Sequence, residues 1–147
     1  MPADAPMEHA MRRIALLALA LAVSLLSGCA TDVRNEALTS ATNGYASSVR
    51  WNDWESAMSF LDKDYVAEHP LSSVDQGRLG QLRVTGYDDG SGPRADGEDE
   101  AVQVVQINVV NINTQAERTV VDHQRWHYNR EKKKWSLMTG LPDFSPK

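Results

Sequence analysis

The spacing of apolar residues along this chain changes character several times, and each change predicts a different element. Residues 14–26 form a run of Ala, Leu, Ile and Val broken only by Ser24. Over residues 35–49, Leu38, Ala41, Tyr45 and Val49 recur at helical spacing, which predicts a helix carried through Gly44. Trp54, Ala57, Met58 and Leu61 then follow as i, i+3, i+4 and i+7. Asn52 is placed to cap this second helix, with Glu55 three residues on as its capping-box partner. Such a stripe is the buried face of a helix, so these residues are assigned to the core. Pro70 and the Ser72-Ser73 pair break the pattern.

Beyond that break the period drops to two. Leu82 and Val84 alternate with Gln81 and Arg83, predicting a first strand that ends near Tyr87. Residues 88–100 combine Gly, Pro and six acids against one Arg, the composition of a solvated loop. Residues 101–112 are rich in Val and Ile, yet the alternation changes phase. Val102 and Val104 fall on one face, Val105, Ile107 and Val109 on the other, and Val110 and Ile112 back on the first, which predicts a bulged, bent strand. A turn at 114–117 leads to a third strand at 119–128, a four-residue hairpin loop at 129–132 and a last strand at 133–139. That loop length sets Trp126 across from Trp135. It also gathers Val120, Trp126, Tyr128, Trp135 and Leu137 on one face, whereas a five-residue loop would move Trp135 to the other.

The apolar run at 14–26 is preceded by Arg12-Arg13 and followed by Ser27-Gly28-Cys29. A charged n-region, a short apolar core and small residues before a cut describe a secretory leader. At about 1.5 Å per residue, such a core is too short to cross a hydrocarbon layer of roughly 30 Å. Leu26-Ser27-Gly28-Cys29 resembles the lipobox of bacterial lipoproteins. The resemblance implies that residues 1–28 are a signal peptide and that Cys29, acylated, opens the mature chain. Residues 29–34 would then be a lipidated tether and residues 35–147 a single α+β domain. Ala30, where many Gram-negative lipoproteins retained in the inner membrane carry Asp, implies an outer-membrane address with the domain facing the periplasm. Asp4 and Glu8 suit an n-region poorly, so Met7 and Met11 stand beside Met1 as candidate starts.

Composition narrows the function classes. Of the 147 residues, the 119 after position 28 suit one domain with one core. The net charge of −5 argues against nucleic acid as a partner. Cys29 is the only cysteine, so no disulfide is available and stability must come from packing.

Two amphipathic helices followed by a long, bent antiparallel sheet resemble the nuclear transport factor 2-like (SnoaL-like) fold. Residues 45–65, with Trp51-Asn52-Asp53-Trp54-Glu55, are similar to the start of that family's second helix. The Val/Ile strand is similar to its bent central strand, and Trp126-His127-Tyr128 with Lys134-Trp135-Ser136-Leu137 to its final hairpin. The resemblance implies a cone-shaped α+β domain with N-terminal helices packed on a bent antiparallel sheet, often around a pocket. It fixes no function, because the fold hosts isomerases, dehydratases, binding modules and structural partners.

Candidate chemistry is sparse. His123 and His127 share a strand face but sit about 13 Å apart at 3.3 Å per residue, too far to chelate one metal. The acidic loop does not match a calcium loop, since Gly90 and Gly92 occupy ligand positions. Neither a metal nor a cofactor is implied. Asp122 and Gln124 share the apolar face with Val120 and Trp126. A desolvated carboxylate there would have a raised pKa and could act as a general base, with Gln124 and Tyr45 shaping the site. Ketosteroid isomerase-like members of the resembled family also use a pocket carboxylate, but no tyrosine and acid donors for an oxyanion are legible. Arg125, Arg130, Lys132, Lys133 and Lys134 form a basic patch around the last hairpin, either simply solvated or facing anionic headgroups or an acidic partner.

The expectation is a lipoprotein with a non-enzymatic binding or structural domain, tethered to the membrane at Cys29 and meeting a periplasmic protein or cell-wall partner. The alternative is a pocket enzyme of isomerase or dehydratase type. Pairing through the outer sheet face, with Val121, His123, Arg125, His127 and Met138, predicts a weak homodimer.

Overall fold

The computed structural model describes residues 5–145, with side chains for residues 13, 14, 16 and 31–145. Cys29 and the Leu26-Ser27-Gly28 before it lie outside the residues whose side chains are described. The chain divides after Glu36 into two units, and the second, from Ala37 onward, carries the sheet and its core. Among the described residues no helix is long and apolar enough to cross a membrane.

Helix α1 spans Ala5–Arg50. It includes the helix expected at 35–49 and also residues 30–34, which the sequence reads as a tether. Ala and Leu are strong helix formers, and no proline intervenes between Pro6 and Pro70. From Ala37 onward its inner stripe is Leu38, Thr42, Tyr45, Ala46 and Val49, all buried. The buried Thr42 hydroxyl is satisfied locally, donating to the Leu38 carbonyl at 3.1 Å.

Three short helices follow: α2 (Trp54–Met58), α3 (Lys63–Glu68) and α4 (Ser73–Leu79). Asp53, not Asn52, caps α2 by accepting from Ser56 N at 3.0 Å. Asn52 instead adopts φ 57° and turns its side chain to the sheet, where Oδ1 accepts from Val84 N at 2.9 Å. Asp62 caps α3 and Ser72 caps α4. Neither of these two helices was expected from periodicity, because each is too short to show a repeat. Ala57, Leu61 and Leu79 enter the core from this region.

The second unit is α+β, with these helices and a curled antiparallel half-barrel sheet. Its strands are β1 (Leu82–Asp88), β2 (Arg94–Ala95), β3 (Glu100–Asn111), β4 (Glu117–Asn129) and β5 (Lys134–Leu137). Their order is β1-β3-β4-β5, with the short β2 also on β3. The expected bulge lies elsewhere. β3 alternates strictly and pairs with β4 without a slip from Glu100 to Val110, burying Ala101, Gln103, Val105, Ile107 and Val109. The phase change in its sequence arises because a polar residue, Gln103, points inward while Val104 points out, 53% exposed. The register shift is in β1, between Val84 and Gly86.

The last hairpin keeps its expected face but not its expected pairing. Asn129 pairs with Lys134, so the four-residue loop is 130–133, and Trp126 lies across from Leu137 while Tyr128 lies across from Trp135. The shift is two residues, and a two-residue shift preserves side-chain direction. Trp126, Trp135 and Leu137 are buried, and the Tyr128 and Trp135 rings meet at 5.2 Å.

Both edges of the sheet have backbone groups engaged by neighbouring segments. On β1, Asn52 takes Val84 N–H and the Arg50 guanidinium donates to the Tyr87 carbonyl at 3.0 Å. On β5, Leu137 N donates to Phe60 O at 2.8 Å, and Asp62 N donates to Leu137 O at 2.9 Å. The C-terminal segment crosses back over the helices. Phe144 is buried edge-on against Trp54 at 5.5 Å, and Arg118 of β4 donates to the carbonyls of Phe144 and Ser145.

Candidate functional site

Tyr45, Asp122, Gln124 and Trp126, singled out from the sequence, lie together on the inner side of the sheet. β4 supplies three of them because residues 120, 122, 124, 126 and 128 share one face of a strand. Tyr45 comes from α1 and meets the Trp126 ring edge-on at 5.8 Å. Tyr45 and Trp126 are fully buried, and Gln124 and Asp122 nearly so.

Gln124 organises the cluster. Its Nε2 donates to Asp122 Oδ2 at 2.8 Å and to the Tyr87 hydroxyl at 3.2 Å, while its Oε1 accepts from Trp126 Nε1 at 3.3 Å. A flip would lose the bonds to Trp126 Nε1 and to the Asp122 carboxylate, so these two fix the amide's orientation. Two members were not anticipated. Tyr87 would point outward in an unbroken β1; the slip between Val84 and Gly86 turns it inward. Gln103 sits directly across from Gln124 and is buried, its inward polar side chain being the feature that makes the β3 sequence seem to change phase.

Burial dominates the electrostatics. It raises the Asp122 carboxyl above the ordinary aspartate value, opposed by the hydrogen bond from Gln124 and by nearby His123. Burial also pushes Tyr87 up to about 12, against the Gln124 hydrogen bond. Tyr45 rises well above the tyrosine range, first from burial and then from Asp122 and Tyr87. The Tyr45 hydroxyl and Gln103 Oε1 are buried with no hydrogen-bond partner among the described residues. A carboxyl that holds its proton to higher pH, beside two phenols, is equipped to exchange a proton with a molecule that reaches it.

The other sequence candidates separate. His123 is exposed on the outer face, and His127, half-buried, pairs with Glu100 at 2.7 Å. Among the described residues no group of His, Cys, Asp and Glu could hold a metal ion. Two of the five basic residues around the hairpin are matched by the acidic loop before β3 and the start of β3. Arg130 pairs with Glu98 and Asp99 at 2.7 and 2.6 Å, and Arg125 with Asp96 at 3.3 Å, leaving the hairpin lysines exposed.

Four cavities stand out near this unit's surface among the described residues, and Asp122 lines none of the four. One of about 420 Å³ is bounded by Tyr65, His69, Leu71, Arg78, Leu141 and Phe144. Another of about 400 Å³ runs beside Arg50, Trp51 and Tyr87. No protein-family model and no curated protein matches the chain.

Proposed function

We propose that this chain is a bacterial lipoprotein, anchored through Cys29 in an outer membrane, whose domain serves as a non-enzymatic binding or structural module in the periplasm. The observation that carries the reading is the order Arg12-Arg13, apolar run at 14–26, then Leu26-Ser27-Gly28-Cys29. Acyl chains contribute about 0.8 kcal/mol per buried methylene, and two or more anchor stably where one does not. The domain itself is read as nuclear transport factor 2-like, a reading with which the curled antiparallel sheet and its helices are compatible. The closed packing of Tyr45 and Trp126 over the inner face favours a structural role for the polar cluster there.

The test is fractionation. Wild-type protein should sediment with outer membranes and need detergent for release, whereas Cys29→Ser should fold alike yet leave that fraction. Equal distribution of the two proteins would reject the anchor.

A second reading has one specific observation behind it. Asp122 lies on the inner face with a burial-raised pKa and with Tyr45 and Tyr87 beside it, as a pocket general base would. Such an enzyme would exchange α-protons of small carbonyl compounds in heavy water, and Asp122→Asn would abolish the exchange. Absence of exchange across a panel of ketones and thioesters would remove this reading.

A further inference from the structure

Trp51 is 80% exposed, yet it is not on a loose loop. Its own N–H donates to Ser47 O at 3.1 Å, and the next two residues are fixed through Asn52 N to Val49 O and Asp53 N to Ser48 O. Asn52, in the left-handed conformation, bolts the turn to β1 through Val84 N. The indole is therefore held out to solvent on a rigid base. Beside it runs the shallow groove of about 400 Å³, whose polar walls are Ser47, Thr85 and Arg50. The Arg50 guanidinium lies over the Tyr87 ring at 5.3 Å and spends one nitrogen on the Tyr87 carbonyl, which aligns the group and leaves further N–H donors.

This combination selects among ligand classes. A peptide strand adding here would have to displace the Asn52 and Arg50 side chains from Val84 N–H and Tyr87 C=O of β1. Val84, Tyr87 and Trp51 line the groove together with two hydroxyls and a guanidinium, a mixed wall on which an acyl chain would cover polar groups it cannot bond. A nucleic acid would need a basic stripe, and Arg50 is the only charged side chain among the groove's lining residues. A ring with one face of C–H bonds and a rim of hydroxyls suits this mixture: polarised C–H groups meet the negative face of the indole, and the rim meets Arg50, Ser47 and the Thr85 hydroxyl oxygen, whose proton goes to the Asn108 carbonyl.

We propose that the groove at Trp51 and Arg50 binds a saccharide, with one pyranose stacked on Trp51 and a hydroxyl or carboxylate held by Arg50. Asp122 does not line this groove, which adjoins the inner cluster only through Tyr87, and the site does not depend on the anchor at Cys29.

The test uses the full chain in lauryldimethylamine oxide, a detergent without sugar, titrated with tetra-N-acetylchitotetraose and with tetragalacturonate. Of the four tryptophans, Trp126 and Trp135 are buried and Trp54 is half-buried, so a change in red-edge emission reports Trp51. Saturable binding is expected for at least one sugar, tighter for the acidic one. By calorimetry Trp51→Ala should weaken it at least about tenfold with unchanged melting temperature, and Arg50→Gln should remove the preference for the acidic sugar. Failure of both sugars to bind below about 10 mM overturns the proposal. So does equal binding by Trp51→Ala, and so does Trp51-dependent binding to phosphatidylglycerol vesicles without binding of either sugar.

Discussion

Replacing Tyr45 by phenylalanine should stabilise the protein, although Tyr45 sits at the centre of the inner cluster. The ring is fully buried and makes edge contacts with Phe60 at 6.1 Å and Trp126 at 5.8 Å, all of which phenylalanine keeps. What it loses is a buried hydroxyl with no hydrogen-bond partner. Leaving such a group unsatisfied costs about 1–3 kcal/mol. Deleting it opens a void of about one oxygen atom, and at about 24 cal/mol per Å³ this returns only about 0.3 kcal/mol. The net expectation is a gain of about 1–2 kcal/mol, or a melting temperature higher by about 3–6 °C per kcal/mol for a unit of this size. Urea denaturation followed by circular dichroism should show a higher midpoint at unchanged slope. A loss of about 1 kcal/mol or more would refute the reasoning, because the hydroxyl would then be making a bond worth keeping.

Other outcomes follow from the same contacts. The raised Asp122 pKa means that, above the ordinary aspartate value and below its raised one, the folded state holds a proton the unfolded state has lost. Stability should therefore fall with rising pH in that window, by at most about 1.4 kcal/mol per pH unit, then level off; in Asp122→Asn, denaturation across the same range should lack this contribution. Asn52→Ala leaves Val84 N unpaired and puts a side chain without local hydrogen bonds at φ 57°, so equilibrium unfolding should show a loss of about 2 kcal/mol. On the outer face, Val121 is 53% exposed beside His123 and Arg125, so pairing there should be weak. Sedimentation showing a single species independent of protein concentration would contradict that pairing.

How legible this fold was depended on the length scale of each signal. The face of the last hairpin survived a two-residue slip because side-chain direction repeats every two residues, so Trp126, Trp135 and Leu137 were placed inward although their partners were not. Helices α3 and α4 span one or two turns, and their only sequence marks are the caps Asp62 and Ser72. Asn52 and Asp53 are adjacent residues of equal capping ability, and the sheet decides between them by offering Val84 N to the first. Asp122, Gln124, Trp126 and Tyr45 could be named because strand and helix parity puts them inside. Tyr87 could not, since it depends on a slip in β1, and Gln103 was concealed by the outward valine beside it. The groove at Trp51 involves residues 40 positions apart in the chain and has no local signature.

The central claim is that Cys29 is the lipidated first residue of the mature protein. The most direct test is the intact mass of protein extracted from membranes by detergent. The account predicts a chain that begins at Cys29, carries the added mass of a diacylglyceryl group and an N-acyl chain, and loses that addition in Cys29→Ser. A mature protein with an unmodified N-terminus at Met1, Met7 or Met11 would contradict it.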